Sequence, residues 1–249
     1  MVKIGIIGGS GLEDPEILDS PEIINISNKY GSPASPLVCG KIGNTETVIL
    51  SRHGKDHTIP PSAVNNRANI SALADAGCTH IISTTACGSL REEIQRGDII
   101  IPDQFIDFTR HRYITFFDEF EPGNMGHTPM ADPFDRHLRS LLISAARKLR
   151  LPVHDKGVMI TIEGPRFSTR AESHLFRMWG ADIINMSVAP EAILANEIKI
   201  PYATIAMSTD YDSWKKDEQP VTWEEVLKVF NANVHNVLSL LREVIPLVN

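Results

Sequence analysis

Short apolar runs rich in β-branched residues recur along the chain and alternate with segments of helical periodicity. The apolar runs cover residues 3–7, 47–50, 80–85, 98–102, 158–162, 182–185 and 202–207, and helical patterns cover 64–76, 135–149, 169–180, a segment with Pro190 in its first turn, and 222–247. Continuous apolar strands separated by helices are typical of parallel sheets covered on both faces. The sequence therefore predicts one α/β domain over residues 1–249, with a mixed, largely parallel sheet flanked by helices.

Local sequence signals mark where several of these helices begin and end. Gly77 lies where a glycine would end the helix at 64–76, and Pro190 lies at a first-turn position, where its missing N–H leaves no hydrogen bond broken. Thr169 and Glu172 match a capping box, and so do Thr222 and Glu225. We therefore expect helix starts at 169 and 222, the second opening a long amphipathic helix.

Composition excludes several classes of protein. The chain of 249 residues has 24 Lys and Arg against 31 Asp and Glu, a net charge of −7, which does not suit nucleic-acid binding. No apolar run approaches the roughly 20 residues that span a bilayer. The three cysteines, Cys39, Cys78 and Cys87, are scattered, and CxxC and HExxH spacings are absent. We expect a soluble cytoplasmic protein with no membrane contact, no disulfide framework and no metal site.

Polar residues suited to binding an anion follow four of the predicted strands. Ser10 lies in Gly8-Gly9-Ser10-Gly11, Arg52 and His53 follow the run at 47–50, Thr85 lies at the end of 80–85, and Ser187 follows 182–185. Each alone is equally consistent with a tight turn, a surface charge or a helix N-cap. Because strand ends of a parallel sheet meet at one edge, their repetition predicts a small cup for inorganic phosphate. No dinucleotide-binding fingerprint follows the first strand, which excludes a nicotinamide-dependent dehydrogenase.

Two carboxylates lie just after the run at 202–207. If the strand geometry continues, Asp210 and Asp212 point to the same side, and their mutual repulsion raises the pKa of one of them. A carboxyl that stays protonated can act as a general acid. The alternative is a solvated acidic turn in which Asp bonds to its own backbone.

Two further residues have open roles at this stage. Phe167 follows the run at 158–162, where an aromatic ring either stacks on a flat heterocycle or packs beneath the next helix. His127 lies in the long irregular stretch 109–134, a length typical of lids and interface loops, and it could also be a surface histidine.

Together the motifs resemble a known family. They are GGSGL at 8–12, SRHG at 51–54, NNRANI at 65–70, TTACGSLREEI at 84–94, GDIIIPDQFID at 97–107, TIEGPRFSTRAES at 161–173, WGADIINMS at 179–187 and MSTDYDSW at 207–214. The chain resembles the S-methyl-5′-thioadenosine phosphorylases of the trimeric purine nucleoside phosphorylase family over nearly its whole length.

This resemblance implies both a fold and a reaction. The fold would be the purine nucleoside phosphorylase-like α/β fold, assembled as a homotrimer or a dimer of trimers. The reaction would cleave the glycosidic bond of methylthioadenosine, with inorganic phosphate as nucleophile and co-substrate, to give adenine and 5-methylthioribose 1-phosphate. Neither a metal nor an organic cofactor would be required.

The resemblance also assigns roles to residues. It places Ser10, Arg52, His53, Thr85, the Ala86 backbone and Ser187 on phosphate, Met186 on the ribose, Phe167 on the purine, and Ser168 at a position tied to base recognition. Asp210, supported by Asp212, would bond to N7 and the 6-amino group of adenine. Trp223 would lie near the 5′-substituent pocket, where many members have a smaller Val, and His127 would come from the neighbouring subunit.

Several alternatives stay open. One is a purine nucleoside phosphorylase with another preference: adenosine, inosine, guanosine or methylthioinosine. Asp210 argues against 6-oxopurines, whose family relatives carry Asn there, because a carboxylate would meet the lone pairs of the 6-oxo group. A nucleosidase that uses water would have no need of a phosphate cup. A non-catalytic nucleoside-binding protein would be expected to have lost the acid or the phosphate ligands.

Overall fold

The computed structural model describes residues 1–8, 17–123, 125–218 and 221–249, and Ser10 lies outside these residues. The strands are β1 (Lys3–Gly8), β2 (Asp19–Ile24), β3 (Leu37–Ile42), β4 (Thr45–Ser51), β5 (His80–Ser89), β6 (Ile99–Ile100), β7 (Gln104–Phe108), β8 (Val153–His154), β9 (Val158–Ile162), β10 (Ile183–Asn185) and β11 (Tyr202–Asp210). The helices are α1 (Asn66–Asp75), α2 (Arg136–Lys148), α3 (Arg170–Met178), α4 (Val188–Glu197) and α5 (Trp223–Val244).

The described strands form one mixed sheet that branches at β5. Its main path runs β2-β3-β4-β1-β5-β10-β9-β7, and β11 pairs with both β5 and β6. The pairs β1–β4, β1–β5, β5–β11 and β9–β10 are parallel, whereas β10 meets the end of β5 in the antiparallel direction. The predicted fold class, a single mixed domain with a largely parallel sheet, is confirmed.

Helices cover both faces of the sheet. On one face α1 contacts α4, and the cluster there includes Ile7, Leu73 and Leu194. On the other face α2 contacts α5, around Leu142 and Leu241. Because strands in the middle of such a sheet are buried on both sides, all nine residues of β11 are buried. Among the described residues, no helix is long and apolar enough to cross a membrane.

The local helix signals are confirmed where the structure tests them. Gly77 has φ of +81° just after the α1 C-cap, a conformation that glycine adopts without strain. Thr169 and Glu172 form the complete capping box of α3. The Thr222 side chain accepts a hydrogen bond from the Glu225 N–H at 3.3 Å at the start of α5.

The extent of several strands differs from the sequence expectation. The strand expected at 98–102 is only the two-residue β6, and β11 continues three residues past 207 because its Asp210 still pairs with Gly88 of β5. Strands β2, β3, β7 and β8 were not predicted, and of these β2 and β7 lie at the two ends of the main path of the sheet. Every residue of β2 is exposed, so its sequence carries no apolar alternation that would indicate a strand.

Candidate active site

A cavity opens where β4, β5, β10 and β11 end. It collects Arg52, His53, Thr85, Ala86, Phe167, Ser168, Met186, Ser187, Asp210, Asp212 and Trp223, all predicted for the site, together with His57, Pro61, Cys87, Gly88, Ile162, Ile184, Asn185, Thr209 and Val226. The cavity at the carboxyl ends of the strands therefore brings together the described residues that the sequence predicted for the site, with the exception of His127.

Hydroxyl groups line the floor of the cavity at the junction of β5 and β10. The Thr85 and Ser187 oxygens are 3.4 Å apart. Asn185 donates from Nδ2 to the Thr85 hydroxyl at 3.4 Å and accepts from Thr161 at 2.7 Å, which ties this floor to β9. The hydroxyls are thus held as a group between two strand ends.

The N-terminus of α4 faces the same floor. Ser187 is the N-cap residue of α4, yet its side chain makes no capping bond. A helix N-terminus carries a partial positive charge from its unpaired N–H groups, which favours a bound anion. The Ser187 hydroxyl and this helix end together suit a phosphate group.

Arg52 is buried beside these hydroxyls and is held by an acidic partner. Its Nε bonds to one oxygen of Glu191, its Nη2 bonds to the other at 3.1 Å, and its Nη1 donates to the Thr84 carbonyl at 2.9 Å. Burial disfavours the charge, but the ion pair and hydrogen bonds with Glu191 outweigh burial and raise the Arg52 pKa. Sequence reasoning missed Glu191, which is 139 residues away along the chain.

His53 differs from the sequence expectation of a second hydrogen-bond donor. Its Nδ1 lies 2.8 Å from the Ile59 carbonyl, an acceptor, so Nδ1 carries the proton. Burial and the nearby Arg52 lower the His53 pKa to about 4, which leaves the ring neutral at pH 7. A neutral ring with the proton on Nδ1 presents an acceptor at Nε2. His53 therefore presents a hydrogen-bond acceptor for a ligand hydroxyl rather than a second donor.

Asp210 ends β11 on the opposite side of the cavity. One carboxylate oxygen accepts the Asp212 backbone N–H and the other accepts the Thr209 hydroxyl, both at 2.8 Å. The Asp210 pKa is raised, chiefly by burial, and the Asp212 charge adds a smaller effect. The raised pKa expected from sequence is present, although burial rather than repulsion is its main cause.

Asp212 does not continue the strand, so the expectation that the two carboxylates share a strand face is wrong. Asp212 has φ of +47°, because β11 ends at Asp210 and the chain turns there. Both Asp212 oxygens lie close to the Ser168 hydroxyl, at 2.6 and 2.5 Å. Burial raises the pKa of Asp212 as well. Both carboxylates are buried, which excludes a solvated turn. The backbone bond of that alternative is present, since Asp210 accepts the N–H of Asp212 two residues further on.

Gly88 leaves the space that the Asp210 carboxylate occupies. A Cβ on Gly88 would lie 2.8 Å from Asp210 Oδ1 and 3.0 Å from Ile184 Cγ2. Any larger residue would displace the carboxylate. Sequence reasoning did not single out Gly88, because only the pairing of β5 with β11 shows its role.

The opposite walls of the cavity are apolar. Phe167 is 36% exposed and lines the cavity. The aromatic side chain that packs α3 into the core is instead Phe176, which belongs to the helix itself. Met186 packs against Gly164, whose Cβ would lie 2.5 Å from the Met186 sulfur. The buried Arg112 donates to the carbonyls of Glu163 and Met186, at 2.5 and 3.2 Å, and so fixes this wall.

Trp223 lies at the cavity mouth in a row of aromatic rings. Its ring stacks on His57 at a centroid distance of 5.0 Å, and His57 contacts His53 at 4.4 Å. His57 has φ of +52°, so the turn after β4 holds it in a left-handed conformation. No residue pattern around His57 marks it as part of the site, because its contact with Trp223 joins the start of α5 to a distant turn.

Comparison with known proteins identifies the family of this chain and several of its relatives. The family model for the phosphorylase superfamily matches residues 3–246. The chain belongs to the phosphorylase superfamily. It is 55% identical over 249 residues to S-methyl-5′-thioadenosine phosphorylase of Xenopus tropicalis and 52% identical over 247 residues to that of Danio rerio, covering 98% of this chain and 88% of each relative.

Solved structures of this superfamily agree with the fold. Methylthioadenosine phosphorylase of Schistosoma mansoni in complex with adenine has a TM-score of 0.94 at 43% identity, covering 99% of this chain and 92% of that chain. A variant of the Schistosoma mansoni enzyme in complex with methylthioadenosine has a TM-score of 0.91 at 42% identity, with the same coverage. These enzymes bind a purine base or nucleoside.

Among the described residues that were predicted for the site, only His127 lies away from the cavity. It lines a separate groove with Phe117, Asp135, Glu197 and Tyr202, on the part of the chain that connects β7 to α2. Its ring contacts Phe120 at a centroid distance of 5.6 Å. Its expected contribution to a neighbouring subunit's site stays a prediction.

The lowered pKa of His53 predicts a pH effect on stability. In the folded protein the ring titrates near pH 4, while in the unfolded chain it titrates near its ordinary value of 6.5. The unfolded chain therefore takes up the proton first, and the contribution of His53 to the free energy of unfolding is lost as pH falls from about 6.5 to about 4. Urea unfolding should show a larger loss of stability over this pH range in the parent protein than in His53→Gln, because the variant keeps His57 and His80, whose pKa values are also lowered. A ring NMR titration with a midpoint near 6.5 would contradict it.

Proposed function

We propose that the chain is a pentosyltransferase that cleaves S-methyl-5′-thioadenosine with inorganic phosphate, giving adenine and 5-methylthioribose 1-phosphate. The observation that carries this proposal is the placement of a buried Asp210, whose pKa is raised, across one cavity from Arg52, Thr85 and Ser187. Superfamily relatives at about half identity named for this reaction, and the related structures with adenine and methylthioadenosine, support the same substrate.

The chemistry divides between the two ends of the cavity. A phosphate oxygen held by Arg52, Thr85, Ala86 and Ser187 forms a bond to C1′ of the sugar. The C1′–N9 bond breaks, and its electron pair moves into the purine. Positive charge develops on the sugar in such reactions, and phosphate beneath the ring stabilises it and then captures it. In this proposal Ser10 completes the phosphate site, and Met186 packs against the ribose.

Asp210 supplies the proton that the leaving base needs at N7. Its raised pKa keeps the carboxyl protonated above the usual range for Asp, so the proton is available where the purine departs. Asp212 holds Asp210 through its backbone N–H, and it is fixed by Ser168. After transfer, the Asp210 carboxylate accepts a hydrogen bond from the 6-amino group of adenine, which favours adenine over a 6-oxopurine.

The same site argues for phosphorolysis over hydrolysis. A water-using nucleosidase needs neither a buried arginine nor a helix N-terminus at the sugar. Here both converge on the hydroxyls of Thr85 and Ser187. Inorganic phosphate is the co-substrate in this proposal, and no metal or organic cofactor takes part. In the described residues no group of three or more His, Cys, Asp or Glu side chains could hold a metal ion.

We place the 5′ substituent of the nucleoside at the mouth of the cavity. Trp223 and His57 present a stacked aromatic surface there, and Phe167 lies against the purine on the opposite wall. An apolar methylthio group gains from contact with such rings, whereas the 5′-hydroxyl of adenosine would lose hydrogen bonds to water. We therefore place methylthioadenosine ahead of adenosine.

The enzyme is further proposed to work in the cytoplasm as a homotrimer or a dimer of trimers. All three cysteines are free thiols, which suits a reducing compartment. Exposed Tyr113, Phe117, Phe120 and Met125 lie in the segment that carries His127, and exposed apolar groups of this kind often mark protein interfaces. In this proposal His127 closes the neighbouring subunit's methylthio pocket.

The first test measures release of free base from methylthioadenosine, adenosine, methylthioinosine and inosine, each with and without phosphate. We expect phosphate-dependent release of adenine, fastest from methylthioadenosine. Release without phosphate would indicate a hydrolase and contradict the phosphate site. Faster release of hypoxanthine would show that Asp210 does not select the base.

The acid role of Asp210 has a separate test. Asp210→Asn should reduce adenine release from methylthioadenosine by about 10²–10⁴-fold, the usual contribution of a general acid. The base of a purine nucleoside methylated at N7 departs without taking up a proton. The rate at which the same variant cleaves such a nucleoside should therefore fall far less. Each rate is compared with the parent enzyme on the same compound. An equal loss on both compounds would assign Asp210 to binding alone.

The oligomer proposal is tested by sedimentation and by mixing variants. The particle mass should be a multiple of three chains of 27.6 kDa. His127→Ala and Asp210→Asn chains refolded together should recover activity, because some sites then receive the intact residue from each subunit. A monomer, or no recovery in the mixture, would exclude a shared site.

A further inference from the structure

A chain of buried polar groups runs behind Arg52, outside the cavity. Glu191 is 0% exposed, Arg52 1% and Tyr202 1%. The Tyr202 hydroxyl donates to Glu191 Oε2 at 2.8 Å and lies 2.6 Å from the Ser83 oxygen, and Ser83 lies 2.8 Å from Thr204. Neither Glu191 nor Tyr202 is among the described residues that line the cavity. Nothing in the proposed reaction uses either residue directly.

We propose that Glu191 and Tyr202 are positioning residues, which aim the guanidinium of Arg52 at the phosphate. This inference rests on the proposed function, since it concerns the phosphate site of that reaction. It assigns a role to the first turn of α4 and to the first residue of β11, which carry Glu191 and Tyr202.

The geometry of the guanidinium supports this role. A guanidinium is planar and has five N–H donors in fixed directions. Glu191 engages Nε and Nη2, and the Thr84 carbonyl engages Nη1, so three donors have partners among the described residues. One N–H remains on Nη1 and one on Nη2. Because two edges are fixed, the directions of the remaining donors are fixed too, and Arg52 reaches the cavity.

The electrostatics point the same way. A lone arginine with almost no water contact would be strongly disfavoured, and the Glu191 carboxylate removes that penalty. Burial and Glu191 raise the pKa of Tyr202, so its phenol stays neutral and can only donate to the carboxylate. That bond leaves Glu191 with one preferred orientation. The phosphate then meets an arginine whose position is set before binding, which favours tight binding.

The alternative is that this network only stabilises the fold. A structural role would reduce stability and affect every ligand equally. A positioning role would weaken phosphate binding while leaving adenine binding intact, because adenine contacts the Asp210 end of the cavity. The two roles therefore differ in the ratio of phosphate to adenine affinity rather than in activity alone.

The experiment measures binding of inorganic phosphate, and separately of adenine, by calorimetry. Glu191→Gln keeps the shape but places an amide N–H₂ against Arg52, and we expect its phosphate dissociation constant to rise tenfold or more. Tyr202→Phe removes the hydrogen bonds of the phenol to Glu191 and to Ser83, and we expect a rise of about two- to tenfold. Adenine affinity should change less than twofold in both variants. The KM for phosphate should rise in parallel, with a smaller change in the KM for the nucleoside.

A matched control breaks an ion pair elsewhere. Asp182 bonds to Arg91 Nε at 2.8 Å and to the Val158 N–H at 2.8 Å, away from the cavity. Asp182→Asn should lower the thermal midpoint but leave phosphate affinity unchanged. If Glu191→Gln does not fold, Tyr202→Phe carries the test, since it removes a single oxygen.

The outcomes separate the two proposals. Phosphate binding equal to the parent in both variants, or an equal loss of phosphate and adenine affinity, would overturn the positioning role and leave the reaction standing. A parent enzyme that releases adenine but binds no phosphate would overturn the proposed function, and the positioning role with it.

Discussion

Strand β5 pairs with β1 over residues 80–83, with β11 over residues 81–88 and with β10 at residues 88–89, and the site depends on this arrangement. The parallel pairing with β11 brings Asp210 beside Gly88, while the antiparallel pairing with β10 brings Ser187 close to Thr85. One strand therefore sets the separation between the proposed acid and the proposed phosphate floor. Because both pairings are fixed by backbone hydrogen bonds, the two halves of the site are aligned before any ligand binds.

Sequence reasoning predicted the parts of this arrangement that depend on local signals. Apolar runs indicated the buried strands, and Gly77 and Thr169 indicated helix boundaries. Polar residues at strand ends indicated Arg52, His53, Thr85, Ser187 and Asp210, whereas Ala86, Ser168, Met186 and Trp223 came only from the family resemblance. These signals succeed because strand burial and helix capping are decided within a few residues of the chain. The exposed edge strand β2 has no such signal, since its place is set by pairing with β3.

Most of what sequence reasoning missed or explained wrongly depends on contacts that form only in the folded chain. Glu191 meets Arg52 across 139 residues, and Ser168 meets Asp212 across 44. The Nδ1 proton of His53 is set by the Ile59 carbonyl, which no residue pattern marks as an acceptor. Likewise the main cause of the raised Asp210 pKa is burial, a property of the folded sheet, whereas the sequence shows only that Asp212 is near.

Burial disfavours the charged form of both Asp210 and Arg52, which lie on opposite sides of the cavity. It raises the pKa of Asp210, the residue proposed to supply the proton that a departing purine needs. Arg52 is buried at least as deeply but keeps its charge, because Glu191 outweighs the desolvation. The difference between an acid and a fixed cation therefore comes from the partner each residue has, not from its depth. A phosphorolytic site needs both states at once, and this sheet provides them by placing the Glu191 carboxylate against Arg52, whereas Asp210 accepts hydrogen bonds only from the Thr209 hydroxyl and the Asp212 N–H among the described residues.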